Sequence, residues 1–570
     1  MKYLSLTYLL VVIPLLAFGQ ETWTLSEEVA KNVDMRIENG HSPSIAIGLI
    51  DKDGPQYYFF GNTTMTGHSV TENTIYEIGS ISKTFTGILL ADMVQSGKMK
   101  LDDPVQQYLP ESVTMPEWEG KPIVLGQLSD HTSGLPRMPD NFSPADITNP
   151  YADYTVEQMY AFLSSHTLRR EMGSVYEYSN LAQGLLGHIL ALTAGKTYEE
   201  LVIEKIAGPL GMKDTRIKLN DQQMQQLAPG HSLGAVVSNW DIPTLAGAGA
   251  IRSSLHDMLI YVSANMGLTD SPVYQAMQLS HQARHDKAGG MRVGLGWHIK
   301  KGAEGDVVWH NGGTGGYRTF AGFVPDTGRG VVVLTNSTKG ADDIGFHLLD
   351  SDSDLIQPKR SVAMAIKKAI DTEGPTTAMA AYKALIKTDP ATFELNEQEI
   401  NNMGYSYLTE NNPEAAASVF EINVAAFPNS ANVYDSYAEA LMKSGKKQAA
   451  IANYQKSLEL NPGNTNAVDM LTRLGAPPDT KEIKVEESVL ESYTGTYTLR
   501  PGFDIVITRK GSRLFGEATG QGQFELFPKS ATEFFVKEVE AQVTFDVQQD
   551  GKVSQLILHQ GGMDMPAKRK

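Results

Sequence analysis

Three residues recur at a fixed interval past the middle of the chain: Ala416, Phe420 and Pro428 return 34 residues later as Ala450, Tyr454 and Pro462. A 34-residue spacing of small, aromatic and proline positions is a helix–turn–helix period, in which each unit buries its apolar face only against the next. Gly404 and Tyr407 stand where such a repeat needs them, and Ala378, Tyr382 and Pro390 give a looser upstream copy. Residues 360–475 are therefore expected to stack as helices. So few repeats serve either to pack on a neighbouring domain or to offer a groove to a protein or peptide partner.

The flanking patterns differ. From about Thr24 to Thr338, strand-like runs such as Ser44 to Ile50 mix with helical ones such as Ser82 to Gln95, which Gly97 closes. Late strands Arg318 to Val324 and Gly330 to Thr335 flank the turn Pro325-Asp326-Thr327-Gly328. Asp350-Ser351-Asp352-Ser353-Asp354 marks a boundary, and Gly475-Ala476-Pro477-Pro478-Asp479 reads as a second linker. Beyond it, runs such as Gly495 to Leu499, Asp504 to Ile507 and Val543 to Val547 predict a small antiparallel sheet or barrel. The expected organisation is multidomain: a leader over 1–19, an α/β (α+β) domain with an antiparallel sheet over 20–350, helical repeats over 360–475, and a small all-β domain over 485–570.

Charge and cysteine usage narrow the function classes. Lys plus Arg less Asp plus Glu is 48 − 66 = −18, which argues against nucleic acid or an anionic membrane as main partner. Met1-Lys2, the apolar stretch Leu9 to Phe18 and Ala17-Phe18-Gly19 before Gln20 have the form of a secretory signal. No other segment approaches the ~18 apolar residues of a spanning helix. The absence of cysteine removes disulfides, thiol nucleophiles, thiolate metal sites and a lipid-bearing N-terminal cysteine. A periplasmic or secreted protein is expected, with no metal, no organic cofactor and no membrane span.

Ser80-Ile81-Ser82-Lys83 lies where the strand-like Ile75-Tyr76-Glu77-Ile78 gives way through Gly79 to a helix. Side chains three apart on a helix share one face, so the Lys83 amine can reach the Ser80 hydroxyl and take or steer its proton. Spacing alone is weak, because Ser444-Gly445-Lys446-Lys447 repeats it. Tyr178-Ser179-Asn180 is the only Tyr-x-Asn in the chain. A tyrosine beside an ammonium is held partly as phenolate and can then serve as base for Ser80 and acid for a leaving group, while Asn180 offers its amide to a substrate carbonyl. Trp309-His310-Asn311-Gly312-Gly313-Thr314-Gly315-Gly316-Tyr317 supplies a glycine-rich strand edge, where one N–H paired with that of Ser80 would make an oxyanion hole.

These three elements, in this order, resemble the serine β-lactamase and penicillin-recognising superfamily, in its branch of class C β-lactamases, D-Ala-D-Ala carboxypeptidases, D-aminopeptidases and related esterases. Leu128 to Pro136 and Ala246 to Ser254 match as well, so the resemblance spans about residues 25–345. It implies Ser80 as the acylated nucleophile, Lys83 as the group that tunes it and Tyr178 as general base. Asn180 and His310 are implied as substrate contacts, with Gly312 in the third motif and Gly313 as second oxyanion donor. His310 stands where class C β-lactamases carry lysine, which lowers the weight on antibiotic hydrolysis. The 34-residue period is similar to that of tetratricopeptide repeats.

Other signals are weaker. Gly230-His231-Ser232-Leu233-Gly234 spells a nucleophile elbow but follows a polar helix and opens none. His281 and His285 share a helix face without a third ligand, and read as a solvated helix end. Trp240, Trp297, Trp309 and Tyr317 read as core. The expected activity is an exported serine hydrolase cleaving an amide or ester through a Ser80 acyl-enzyme, with a D-Ala-D-Ala carboxypeptidase or D-aminopeptidase as alternative. From another class, a repeat-based binding protein with a passive hydrolase domain stays open.

Overall fold

Along strand β1 (Ser44–Asp51) the side chains alternate in size rather than polarity, and this decides what packs on each face. Ile45, Ile47 and Leu49 point one way, Ala46 and Gly48 the other, and all are buried. The computed structural model describes residues 23–570 apart from 64–66, 288–289, 389–391, 478–484, 501–502, 520, 537–538, 540, 549–551 and 561–562. The proposed leader over 1–19, with Gln20, lies outside the described residues, as do Pro390, Pro478 and Asp479.

β1 belongs to an eight-stranded antiparallel sheet with β2 (Gly54–Gly61), β3 (His285–Lys287), β4 (Met291–Val293), β5 (His298–Gly302), β6 (Gly305–Gly313), β7 (Arg318–Val324) and β8 (Arg329–Thr335). Its strand order is β2-β1-β8-β7-β6-β5-β4-β3, with Ile47 opposite Val333 and His310 opposite Ala321. Five helices frame the sheet and site: α1 (Glu27–Glu38), α2 (Ser82–Gln95), α3 (Asn180–Ala194), α4 (Leu255–Met266) and α5 (Asp342–Leu349). The large side chains of β1, with Val331, Val333 and Phe320, pack on Val29 and Val33 of α1 and Ile344 of α5. On the small-residue face α4 comes close: a Cβ on Gly48 would lie 2.6 Å from Leu259, and one on Gly330 2.5 Å from Val262. A sheet covered on both faces needs apolar residues throughout, which is why β8 reads Val331 to Leu334 without a polar break.

Helices succeed one another from Val362 to Arg473, and the repeat positions are their core. Ala416, Phe420, Ala450 and Tyr454 are fully buried. Gly404 lets its helix approach the next, since a Cβ there would lie 2.4 Å from the Phe420 ring. Gly404→Ala should therefore cost about 1–3 kcal/mol of repeat stability through overpacking, read as an earlier urea midpoint for that segment; an unchanged midpoint would refute the close approach. The eight strands between Gly495 and Arg569 close into a barrel, resolving the choice between sheet and barrel. The helix Glu487–Tyr493 caps it, with Tyr493 stacked 4.2 Å from Phe545. Among the described residues no helix is long and apolar enough to cross a membrane.

The elbow-like segment forms a two-rung hairpin, His231–Ser232 against Ala235–Val236, with no helix after it. It is wedged between two parts of the molecule. Leu233, at φ 51°, packs into the core of the helical repeats, and a Cβ on Gly234 would lie 2.7 Å from Met364 Cε. On the other side the His231 N–H donates to Gly316 O (3.2 Å) and Asn336 O (3.0 Å). Lys339 adds ion pairs to Glu394 (3.0 Å) and Glu399 (3.3 Å).

Candidate active site

Gly79 makes the strand-to-helix junction possible. Its φ of 53° turns the chain out of the short strand Ile75–Glu77, and a Cβ there would lie 2.6 Å from Gly313 N, so the turn is pressed against the end of β6. Ser80 follows in a single 3₁₀ turn, Gly79–Ile81, that leads into α2. Gly312 sits tighter still, where a Cβ would lie 1.9 Å from Ile78 O and 2.3 Å from Thr319 Oγ1. The two glycines therefore divide their work: Gly312 is buried in the seam, and Gly313 is exposed beside the Ser80 turn.

At the second position of α2, Lys83 is fully buried and donates to Ser80 Oγ (2.9 Å) and to Ala248 O (2.6 Å). Among the described residues no carboxylate forms an ion pair with it, and burial, aided by the nearby Arg137 charge, holds the amine well below its ordinary range. Ala248 lies in Ala246 to Ser254, whose small residues fit between helices: a Cβ on Gly247 would lie 2.9 Å from Gly187 Cα. That stretch returns as Arg252–Ser254 to pair with Ile75–Glu77, and Arg252 forms a buried ion pair with Glu77 (3.2 Å).

Tyr178 stands beside Ser80, and its ring centre lies 4.8 Å from Lys83 Nζ. Burial pushes its phenol up to about 12, so it is neutral near pH 7. The partial phenolate expected beside a lysine ammonium is thus corrected, and the reason is that burial disfavours the charged form of both groups. His131, at φ 62°, holds the loop that carries Tyr178. Its Nδ1 accepts from the Ser179 N–H (3.1 Å), its carbonyl from the Glu177 N–H (2.8 Å), and its ring lies 4.5 Å from that of Tyr178. Positive φ at a non-glycine residue is strained backbone kept by its surroundings. Ser179 caps α3, accepting from the Ala182 N–H (2.9 Å).

Asn180 opens α3 with its Nδ2 toward Tyr151 Oη (3.4 Å), leaving Oδ1 buried and without a partner. His310 Nδ1 donates to Asn311 O (2.6 Å), so Nε2 carries the lone pair, also buried and unpartnered. Burial, with the neighbouring His298 ring stacked 4.8 Å away, keeps His310 neutral. Where a lysine would bring a cation, this site has an uncharged acceptor.

Ser80, Lys83, Tyr178, His310 and Gly313 thus lie together, with Asn180 two residues after Tyr178 and Gly312 behind them. Ala248, His131, His298 and Glu77 were not singled out from sequence; Leu128 to Pro136 and Ala246 to Ser254 were the only signals for His131 and Ala248. Ser444 ends a repeat helix and donates to Ala440 O (2.9 Å). His281 is not a solvated helix end: it packs edge-on against Trp297 and Phe323, bonds Asn265 Oδ1 (2.9 Å), and is pushed down to about 3 by burial. Among the described residues no three His, Asp or Glu converge as metal ligands.

Family models match three parts of the chain: one described as Beta-lactamase over residues 29–349, one as Tetratricopeptide repeat over 431–464, and a domain of unknown function over 479–568. The D-alanyl-D-alanine-carboxypeptidase/endopeptidase AmpH of Escherichia coli K12 is 32% identical over 318 residues, covering 52% of this chain and 80% of that protein. A β-lactamase of Pseudomonas fluorescens is 30% identical over 347 residues, covering 55% of this chain and 93% of its own length. A solved class C β-lactamase superposes with a TM-score of 0.50 at 25% identity, covering 58% of this chain and 97% of that one.

Proposed function

Because the chain belongs to the β-lactamase family, and is thereby a serine-hydrolase-type enzyme of amide or ester bonds, we propose that it acts through an acyl-enzyme on Ser80. The observation that carries this is the Lys83 amine, fully buried, without a carboxylate ion pair among the described residues and 2.9 Å from Ser80 Oγ. A neutral amine there accepts the hydroxyl proton as Oγ bonds to the substrate carbonyl carbon. The N–H groups of Ser80 and Gly313 hold the resulting oxyanion, and one such donor is worth ~10²–10³ in rate. When the scissile bond breaks, Tyr178 gives its phenolic proton to the leaving group and recovers one from Lys83. Water then attacks the ester, its proton passing back through Tyr178 and Lys83, and Ser80 is restored.

The unpartnered acceptors Asn180 Oδ1 and His310 Nε2 favour a substrate that brings N–H groups, because a buried acceptor left unmade is costly. This supports a peptide amide over a simple ester, and the neutral His310, where class C β-lactamases carry lysine, supports D-amino-acid peptides over antibiotics. We place the hydrolase at 20–350, the repeats at 360–475 with a protein or peptide partner, and the barrel at 485–570. Export to the periplasm or exterior, with a signal over 1–19, completes the reading. Ser80→Ala should abolish labelling by a fluorophosphonate and by a fluorescent penicillin while the far-ultraviolet circular dichroism is unchanged; retained labelling would move the nucleophile elsewhere.

A further inference from the structure

His310 brings no charge to the site, yet a cation stands over the Tyr178 ring. Arg137 follows the stretch that fastens Tyr178, and its carbonyl accepts from the N–H groups of Asn180 (3.0 Å) and Leu181 (3.2 Å). It is thereby pinned beside Asn180, the residue proposed to meet the substrate's amide. The side chain is exposed, with the guanidinium carbon 5.1 Å from the centre of the Tyr178 ring. Its charge reaches Lys83, Tyr151, Tyr176 and Tyr178.

Other arginines around the site are engaged. Arg252 pairs with Glu77, Arg284 with Asp130 and Arg170 with Glu177, and Arg318 donates to Thr314 O and Tyr317 O, both at 2.8 Å. The Arg137 guanidinium makes no hydrogen bond or ion pair among the described residues. In a chain with 66 acidic against 48 basic side chains, an unpaired guanidinium over an active-site ring calls for an anion that arrives with the substrate. The aromatic face beneath it restricts the fork and leaves its N–H edges for a bidentate carboxylate.

We propose that Arg137 binds a carboxylate on the acyl portion of the substrate, so that this enzyme prefers acidic acyl donors, peptides with a free carboxylate close to the scissile bond among them. The inference rests on Ser80 as the acylated nucleophile. Two esters with one leaving group separate the two ideas: p-nitrophenyl butyrate, which is neutral, and mono-p-nitrophenyl glutarate, which carries a terminal carboxylate. The ratio of kcat/KM, anionic over neutral, should exceed one in the wild type at low salt and shrink at high salt. It should fall roughly tenfold in Arg137→Gln, recover partly in Arg137→Lys, and fall further in Arg137→Glu, as expected for a charge-assisted hydrogen bond in a partly open site. An unchanged ratio in Arg137→Gln overturns the inference, even if both rates drop together. Unchanged turnover of both esters by Ser80→Ala would instead overturn the nucleophile, and the inference with it.

Discussion

Lys83→Met lowers kcat/KM for any cleaved substrate at least ~10³-fold, the upper range of what one proton-transfer group supplies. Lys83→Arg should be as inactive, because a guanidinium stays protonated and cannot take the Ser80 proton. An arginine variant with more than about a tenth of wild-type rate would show that Lys83 acts only through its charge. In the wild type, kcat/KM should rise with pH on one ionisation well below the ordinary lysine range, as the amine loses its proton, and stay level until the Tyr178 phenol ionises at about 12. Stability follows the same sign. With the folded-state pKa of Lys83 depressed, the unfolded chain binds more protons between that value and the unfolded one, so stability rises with pH across that window. Each unit of depression is worth about 1.4 kcal/mol, and Lys83→Met should flatten the rise. Urea midpoints of the two proteins, measured in steps up to pH 10, would read it.

Gly312→Ala is expected to unfold the hydrolase domain about 10 °C earlier. The new methyl would lie 1.9 Å from Ile78 O, and it must also break the hydrogen bond that Thr319 Oγ1 donates to that carbonyl (3.0 Å). Overpacking against backbone at about 3 kcal/mol and a lost hydrogen bond at about 1 kcal/mol give roughly 4 kcal/mol, at a few degrees for each in a domain of this size. Gly313→Ala meets first the end of the Arg318 side chain, at 3.0 Å, rather than backbone, so its melting temperature should fall far less than that of Gly312→Ala. Equal melting of wild type and Gly312→Ala would show that the seam between β6 and the Ser80 turn is looser than its geometry indicates.

Much of this site was legible because its chemistry sits in local patterns. The strand-to-helix junction at Gly79, the Tyr-x-Asn before α3 and the glycine run after His310 each carry their function within a few residues. Repeat positions were readable for the same reason, since each buries against its own next copy. What escaped was long-range. Nothing near Lys83 says that its second acceptor is the carbonyl of Ala248, 165 residues on. The protonation state of Tyr178 depends on how deeply both it and Lys83 are buried, which neighbours in sequence do not set. His281 looked solvated on its helix because Trp297 and Phe323, which enclose it, arrive from β4–β5 and β7.

The hairpin at His231 to Val236 bears on how this protein can be cut. A hydrolase excised at residue 350 would keep every residue of the proposed chemistry. It would also leave Leu233, strained at φ 51°, facing water in place of the repeat core, and Lys339 without Glu394 and Glu399. The loosened hairpin is the same segment whose His231 N–H holds Gly316 O in the glycine run. The repeats thus brace the hairpin that holds the glycine run, and a fragment ending at residue 350 would keep the chemistry while losing that brace.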